Sequence, residues 1–278
     1  MSLLKFLLIL AAAGVLLAAV GLFFSLKLAV RHYTLASAKL RGPKTLRMAL
    51  ISDLHARRYG KKQEKLAEIL RAEKPDLLLF AGDVVAEDKD RTPALELLDA
   101  LGKNYPCFYV TGNHEYRSGK PEEVREIVRS YGLTVLCGES VLFDTECGKI
   151  RIAGIDDMQE AGFDGVLAQA KAALEGEKSV FTVFLCHHPE LPVCLAKEHG
   201  LFFDLAVSGH AHGGQWRLPG VINGLYAPHQ GLFPKYAGGF YDLGEERTLI
   251  VGRGLAGNLP IPRLFNPPEL VIIDVKPA

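Results

Sequence analysis

The chain has 278 residues, 49% of them apolar, and its 32 Lys and Arg balance 32 Asp and Glu. That is enough apolar material for one large α/β domain with its own core. The zero net charge gives no basic excess of the kind a nucleic-acid binder carries, so nucleic acid is not an expected partner. The 5 cysteines, an odd number without paired spacing, argue against a disulfide framework or a zinc knuckle.

The N-terminal run 6–26 is uncharged and almost wholly apolar, bracketed by Lys5 and Lys27. At the α-helical rise such a run crosses the roughly 30 Å hydrocarbon core of a bilayer. It exceeds the apolar core of about 7–15 residues usual in a cleaved signal peptide, so an uncleaved single-pass anchor is expected. Lys27, Arg31, Lys39, Arg41, Lys44 and Arg47 follow the run, whereas Lys5 alone precedes it. The side richer in Lys and Arg stays cytoplasmic. The expected organisation is therefore an anchor at 1–30, a basic juxtamembrane linker at 31–45 and a cytoplasmic domain at 46–278.

Within that domain, 46–52 reads as a buried strand and 62–72 as an amphipathic helix with Leu66, Ile69 and Leu70 on one face. A strand at 76–81, a helix at 92–101 and a strand at 107–110 follow, and Pro121 opens another helix. Strands alternating with helices imply βαβ units and a mainly parallel sheet. The second half is richer in strands, at 134–135, 141–145, 149–153, 181–186, 205–208, 248–251 and 270–275, with one helix at 166–174. It implies a second, mixed sheet. The Gly- and Pro-rich stretch 213–239 reads as a long ordered loop or hairpin.

Polar residues gather where the buried strands end: Asp53-Leu54-His55, Gly82-Asp83, Gly112-Asn113-His114-Glu115, His187-His188-Pro189 and Gly209-His210-Ala211-His212. Ligands of open α/β sheets bind at the carboxyl ends of strands, so five such clusters indicate one site. Asp-x-His and His-x-His place two ligands on the same side of an extended segment. Glycine before Asp83, Asn113 and His210 permits tight turns and close backbone approach. Carboxylate, amide and imidazole donors without thiolate suit manganese, iron or zinc better than calcium or a structural zinc.

These segments, ISDLH at 51–55, AGDVV at 81–85, GNHE at 112–115, CHHP at 186–189 and GHAHGGQ at 209–215, resemble the calcineurin-like metallophosphoesterase superfamily. The tail motifs at 225–241, 252–255 and 260–270 resemble its membrane-associated bacterial branch, which includes a UDP-diacylglucosamine hydrolase of lipid A synthesis. The resemblance implies a four-layer α/β/β/α sandwich of two mixed sheets flanked by helices. It implies two divalent cations, manganese foremost. Asp53, His55 and His212 would hold one, Asn113, His187 and His210 the other, with Asp83 bridging and His114 catalytic. Ions about 3.5–4 Å apart generate a hydroxide that attacks phosphorus. Ala211 stands where threonine is common, and Ala86 where an acidic residue is frequent nearby.

The implied activity is a membrane-anchored phosphodiesterase or pyrophosphatase, with a lipid-linked phosphoester such as UDP-diacylglucosamine as one substrate. A metallonuclease, a protein phosphatase or a non-catalytic tethered protein are the alternatives, although no ligand is missing. His187 and His188 compete for one ligand position; the resemblance favours His187 and leaves His188 beside the substrate. Arg253 reads as a phosphate partner or an ordinary ion pair, since guanidinium grips phosphate bidentately. His229 reads as structural to its loop, His199 as surface and His32 as interfacial. Asp156 and Asp157 either cap a turn or reach the site rim. Glu115 reads as support for the ligands.

Overall fold

The structure, a computed structural model, describes residues 2–85, 90–117, 119–257 and 261–278, without the side chains of 159–161; position 86 lies outside these. In chain order the elements of the first half are α1 (Leu3–Phe24), β1 (Ala29–Ser37), β2 (Leu46–Ile51), α2 (Glu64–Glu73), β3 (Leu77–Ala81), α3 (Thr92–Leu101), β4 (Cys107–Val110), α4 (Asn113–Tyr116), α5 (Pro121–Ser130) and β5 (Thr134–Val135). There follow β6 (Glu139–Thr145), β7 (Gly148–Gly154), α6 (Met158–Ala173), β8 (Phe181–Leu185), α7 (Glu190–Glu198), β9 (Leu205–Ser208), β10 (Tyr226–Ala227), β11 (Gly231–Leu232), β12 (Gly239–Gly244), β13 (Arg247–Val251) and β14 (Glu269–Pro277).

Two mixed six-stranded sheets carry the fold, in the orders β1-β14-β2-β3-β4-β5 and β12-β13-β9-β8-β7-β6. Both are covered on both faces, which is why β2, β3, β4, β8 and β9 are near-continuous apolar runs. Alternation within each run sorts the side chains. Ala49, Ile51, Leu78, Phe80 and Tyr109 face a core shared with Leu66, Leu70, Leu97 and Val124 of the helices. Their neighbours Met48, Leu50, Leu77, Leu79 and Val110 turn the other way, onto Ile150, Ile152, Val183 and Val207 of the second sheet. Phe184, Ala206 and Leu249 then meet α6 and α7 through Val166, Ala170, Leu191 and Leu195. The layers are helix, sheet, sheet, helix.

The 31–45 linker is corrected. Residues 29–37 form an edge strand that pairs in parallel with β14 from Ala29↔Glu269 to Ser37↔Pro277. Tyr33 and Leu35 pack on the intersheet core, and Val30 on the helix side, while Arg31 and His32 point to solvent. Charged outward positions are how sheet edges avoid further pairing, and they masked the strand pattern. The basic side chains are engaged within the fold: Lys39 Nζ lies 2.7 Å from Asp204 Oδ1, and His32 Nε2 lies 3.4 Å from Glu73 Oε1. His32 is thus on the sheet edge, with Glu73 as its partner. The 213–239 stretch is irregular, with the β10–β11 pair its only ladder among the described residues. β12 and α7 escaped the sequence reading.

Leu3–Phe24 is the one helix among the described residues long and apolar enough to cross a membrane. Its C-terminal end is attached to the body. Phe265 N–H donates to Gly21 O at 3.0 Å, Asn266 N–H donates to Ser25 Oγ at 3.0 Å, and the Phe24 and Phe265 rings stack at 6.5 Å. A Cβ on Gly21 would lie 2.7 Å from the Phe265 ring, so glycine there permits the approach.

Candidate metal centre

Five central strands end within one cleft: β2 at Asp53, β3 at Asp83, β4 at Asn113, β8 at His187 and β9 at His210. The chain leaves them through left-handed backbone, with φ of 50° at Asp53, 44° at His55, 55° at Asp83, 67° at His210 and 48° at His212. A non-glycine residue in that region costs on the order of 1 kcal/mol or more, and such strain clusters at functional sites. The neighbouring glycines let the loops close on one another. A Cβ on Gly82 would lie 2.6 Å from His187 Nδ1 and 2.7 Å from Gly112 N, and one on Gly209 would lie 2.4 Å from Asp53 Oδ2.

The donors converge in two overlapping groups, with ligand atoms of Asp53, His55 and His212, and of Asp83, His187 and His210, each within 4.8 Å of one another. Asp83 Oδ2 joins them, 3.5 Å from His55 Nε2 and 3.3 Å from His187 Nε2. His187 Nε2 also lies 3.2 Å from both Asn113 Oδ1 and His210 Nδ1, and its Nδ1 donates to Ala81 O at 2.7 Å. Asp53 accepts the His210 N–H at 3.0 Å and sits 3.7 Å from His212 Nε2. His114 donates its backbone N–H to Asp83 Oδ1 at 2.8 Å, and its ring lies 4.5 Å from that of His55.

The donor set fits a pair of divalent cations. Burial, reinforced by neighbouring imidazoles, holds His210 and His212 well below the usual histidine range, so their lone pairs are available. Burial raises the Asp53 carboxyl to about 6. Burial also works against the Asp83 anion, yet the His187, His55 and His114 imidazoles win and hold it well below the carboxylate range. Two buried carboxylates and several neutral nitrogens are an arrangement that cations compensate.

Glu115 is the hub of this framework. Its Oε1 accepts Val84 N–H at 2.8 Å, Val85 N–H at 2.9 Å and Tyr109 Oη at 2.7 Å, while Oε2 accepts Asp83 N–H at 2.9 Å and Gly112 N–H at 2.8 Å. One carboxylate thus fixes the β3 and β4 loops against each other. Burial, then the Asp83 charge, raises it to about 7, and the donors favour its anion. Glu115→Gln turns an NH2 toward backbone N–H groups. Oε2 faces two such N–H groups, and each left unsatisfied costs about 1–3 kcal/mol, so a loss of at least about 2 kcal/mol and a Tm lower by roughly 4 °C or more is expected. Thermal unfolding of the two proteins checks this; equal Tm values would remove the hub role.

Around this cluster the structure places residues the motifs did not. His188 Nε2 lies 2.9 Å from Asp157 Oδ2, so Asp157 orients His188 at the rim, while Asp156 takes Thr111 Oγ1 and Arg125 as partners. His229 reaches the cluster: its Nδ1 is 2.9 Å from His210 Nε2, and its ring is 4.8 Å from that of His188. His199 is exposed. Arg253, read as a phosphate partner or an ordinary ion pair, has its Nε 3.1 Å from Glu269 Oε2. A guanidinium beside the cluster that the motifs did not offer is that of the fully buried Arg263, whose Nη2 lies 3.3 Å from His212 Nδ1. Its sequence separation from His212 left no local signal. Asn266 Nδ2 donates to His212 O at 2.7 Å and Gln215 O at 3.1 Å, holding the same loop.

The calcineurin-like phosphoesterase family matches residues 46–214, a span that includes every one of these candidate ligands. The chain belongs to the calcineurin-like metallophosphoesterases. It is a metal-dependent phosphoester hydrolase. An uncharacterized metallophosphoesterase of Campylobacter jejuni is 31% identical over 242 residues, which cover 84% of this chain and 60% of that protein. One from Aquifex aeolicus is 28% identical over 256 residues, covering 90% of this chain and 92% of the relative. The phosphodiesterase YaeI of Escherichia coli is 30% identical over 207 residues, covering 73% of this chain and 71% of that one.

Proposed function

We propose that this metallophosphoesterase is a phosphodiesterase anchored in the cytoplasmic membrane by α1, with its metal centre on the cytoplasmic side and a lipid-linked phosphoester as substrate. Asp53, His55 and His212 would hold one divalent cation, Asn113, His187 and His210 would hold a second, and Asp83 would serve both. The observation that carries this assignment is the position of Asp83 Oδ2, 3.5 Å and 3.3 Å from the Nε2 atoms of His55 and His187, where the two donor groups overlap. Manganese is the first cation to try, given the oxygen and imidazole donors.

When bound, the cations acidify water and neutralise charge on phosphoryl oxygens. The chain's own residues supply the rest. His114 stands beside the phosphate and serves the leaving oxygen. Arg117 donates to His114 Nε2 at 2.9 Å, which leaves Nδ1 as the proton-bearing nitrogen of the substrate-free ring. Asp83 fixes the backbone of His114, and Glu115 fixes Asp83. His188, oriented by Asp157, borders the substrate.

The excess of Lys and Arg after α1 supports the cytoplasmic side. The bonds from Gly21 and Ser25 to 265–266 make the helix end part of the folded body, which supports retention of the anchor. A nucleotide-linked lipid such as UDP-diacylglucosamine would meet the centre there. With manganese, the membrane-extracted protein is expected to keep its N-terminus, to release nitrophenolate from bis(p-nitrophenyl) phosphate and to release UMP from UDP-diacylglucosamine. Diester cleavage without UMP would remove that lipid and leave the phosphodiesterase.

A further inference from the structure

Between α1 and the loop that follows the metal centre runs an apolar groove of about 390 Å³. Gly14 and Leu17 of α1 form one wall, Trp216, Leu218 and Ile222 the other, and Leu264 and Phe265 the floor. Because one wall is the bilayer-spanning helix itself, the groove opens toward hydrocarbon, where no water-soluble ligand would be concentrated. Its loop wall exposes large apolar side chains, Trp216 at 40% and Leu218 at 37%, with Arg217 the one charged residue of the lining.

Groove and metal centre are built from the same two segments. Trp216 follows His212 by four residues, so their Cα atoms lie within about 14 Å of each other. Leu264 and Phe265 stand between Arg263 and Asn266, the two residues that contact His212. The loop is clamped to the floor, with Arg217 N–H donating to Leu264 O at 2.9 Å and Trp216 Nε1 donating to Pro262 O at 2.9 Å. Phe265 holds left-handed backbone, φ 50°, where it receives Gly21. These contacts prefer one position of the helix beside the site rather than a loosely tethered one.

We propose that this groove binds an acyl chain of the substrate, so that the enzyme takes a phosphodiester whose alcohol carries a long alkyl tail, drawn laterally from the bilayer with its phosphate delivered to the metal centre. The proposal rests on the phosphodiesterase reading above and adds the place where the tail is held. The gain of about 0.8 kcal/mol per methylene on leaving water is made when the tail enters the membrane, so the groove acts by fixing the tail, and with it the phosphate, beside the metal centre.

Two measurements on the full chain in non-brominated detergent micelles test it. Trp216 is the only tryptophan of the chain, so its fluorescence reports the groove directly. A terminally brominated dodecyl phosphate is expected to quench it saturably. A Cβ on Gly14 meets nothing within 4 Å, so Gly14→Phe fills the groove without disturbing the fold, and Leu218→Asp charges its other wall. Both variants are expected to weaken quenching at least tenfold. In parallel, wild-type kcat/KM for p-nitrophenyl dodecyl phosphate is expected to exceed that for p-nitrophenyl ethyl phosphate. The variants should lose that preference while cleaving the ethyl ester normally. Unsaturable quenching, quenching unchanged in both variants, or a chain-length preference that survives both would overturn the groove. Saturable, variant-sensitive quenching with neither ester cleaved would instead sink the phosphodiesterase reading and leave the groove as a lipid site.

Discussion

Asp83→Ala is expected to lose bound metal and at least about 10³ in turnover, a scale set by the removal of one preorganised electrostatic group in other active sites. The reason is positional. Asp83 Oδ2 faces His55 Nε2 and His187 Nε2 at 3.5 Å and 3.3 Å, so in the proposed assignment this one carboxylate serves both cations and each other ligand serves one. Its Oδ1 accepts the His114 N–H at 2.8 Å, so the alanine variant also releases the backbone of His114. Asp83→Asn separates the two effects. The amide keeps an acceptor for His114 and the shape of the side chain but lacks the charge. It is expected to stay folded, with His114 in place, and still to bind the cations weakly. Metal analysis by mass spectrometry together with diester turnover checks both variants. Two ions per chain and undiminished turnover in Asp83→Ala would contradict the shared-ligand position.

How much of this was legible in the sequence depends on distance along the chain. The strand-end clusters were legible because each places demanding residue types at the end of an apolar run, and three of the five add a glycine. Gly82 and Gly112 precede Asp83 and Asn113 because their loops pass too close for a Cβ. The two sheets were legible for a related reason. Strands buried on both faces are near-continuous apolar runs, and β3 is wholly so, while β2 and β8 depart only at Arg47 and Thr182. The edge strand β1 was hidden by Arg31 and His32, which read as a linker's charges until the pairing with β14 showed them as exposed positions on the two faces of an edge strand. Arg263 and Asn266 were also hidden: they reach His212 across 51 and 54 residues, and no local spacing records such a contact. Glu115 lay between these cases. Its place three residues after Gly112 carries the capping-box signal, and its Oε2 accepts the Gly112 N–H, but its bonds to Asp83, Val84 and Val85 needed the fold.

His114→Ala separates chemistry from metal binding. The imidazole is half-buried at the edge of the cluster, and its tie to Asp83 runs through the backbone N–H, which alanine keeps. Both cations should therefore remain, with a metal content equal to that of the unaltered protein. Turnover should fall by about 10²–10⁴, the range for a positioned general acid or base. The size of the loss should depend on the leaving group. An alkoxide leaves poorly without a proton, whereas p-nitrophenolate carries its own negative charge readily. If His114 hands a proton to the leaving oxygen, the variant loses most on dialkyl diesters and least on p-nitrophenyl esters. If it acts only as a fixed dipole or cation beside the phosphate, the two losses are equal, because the charge on the phosphoryl oxygens is the same in both. Arg117 sharpens the comparison, since its guanidinium, 2.9 Å from His114 Nε2, opposes a positive charge on the ring. A metal-replete His114→Ala that turns over both ester classes at the original rate would leave the histidine without a catalytic role.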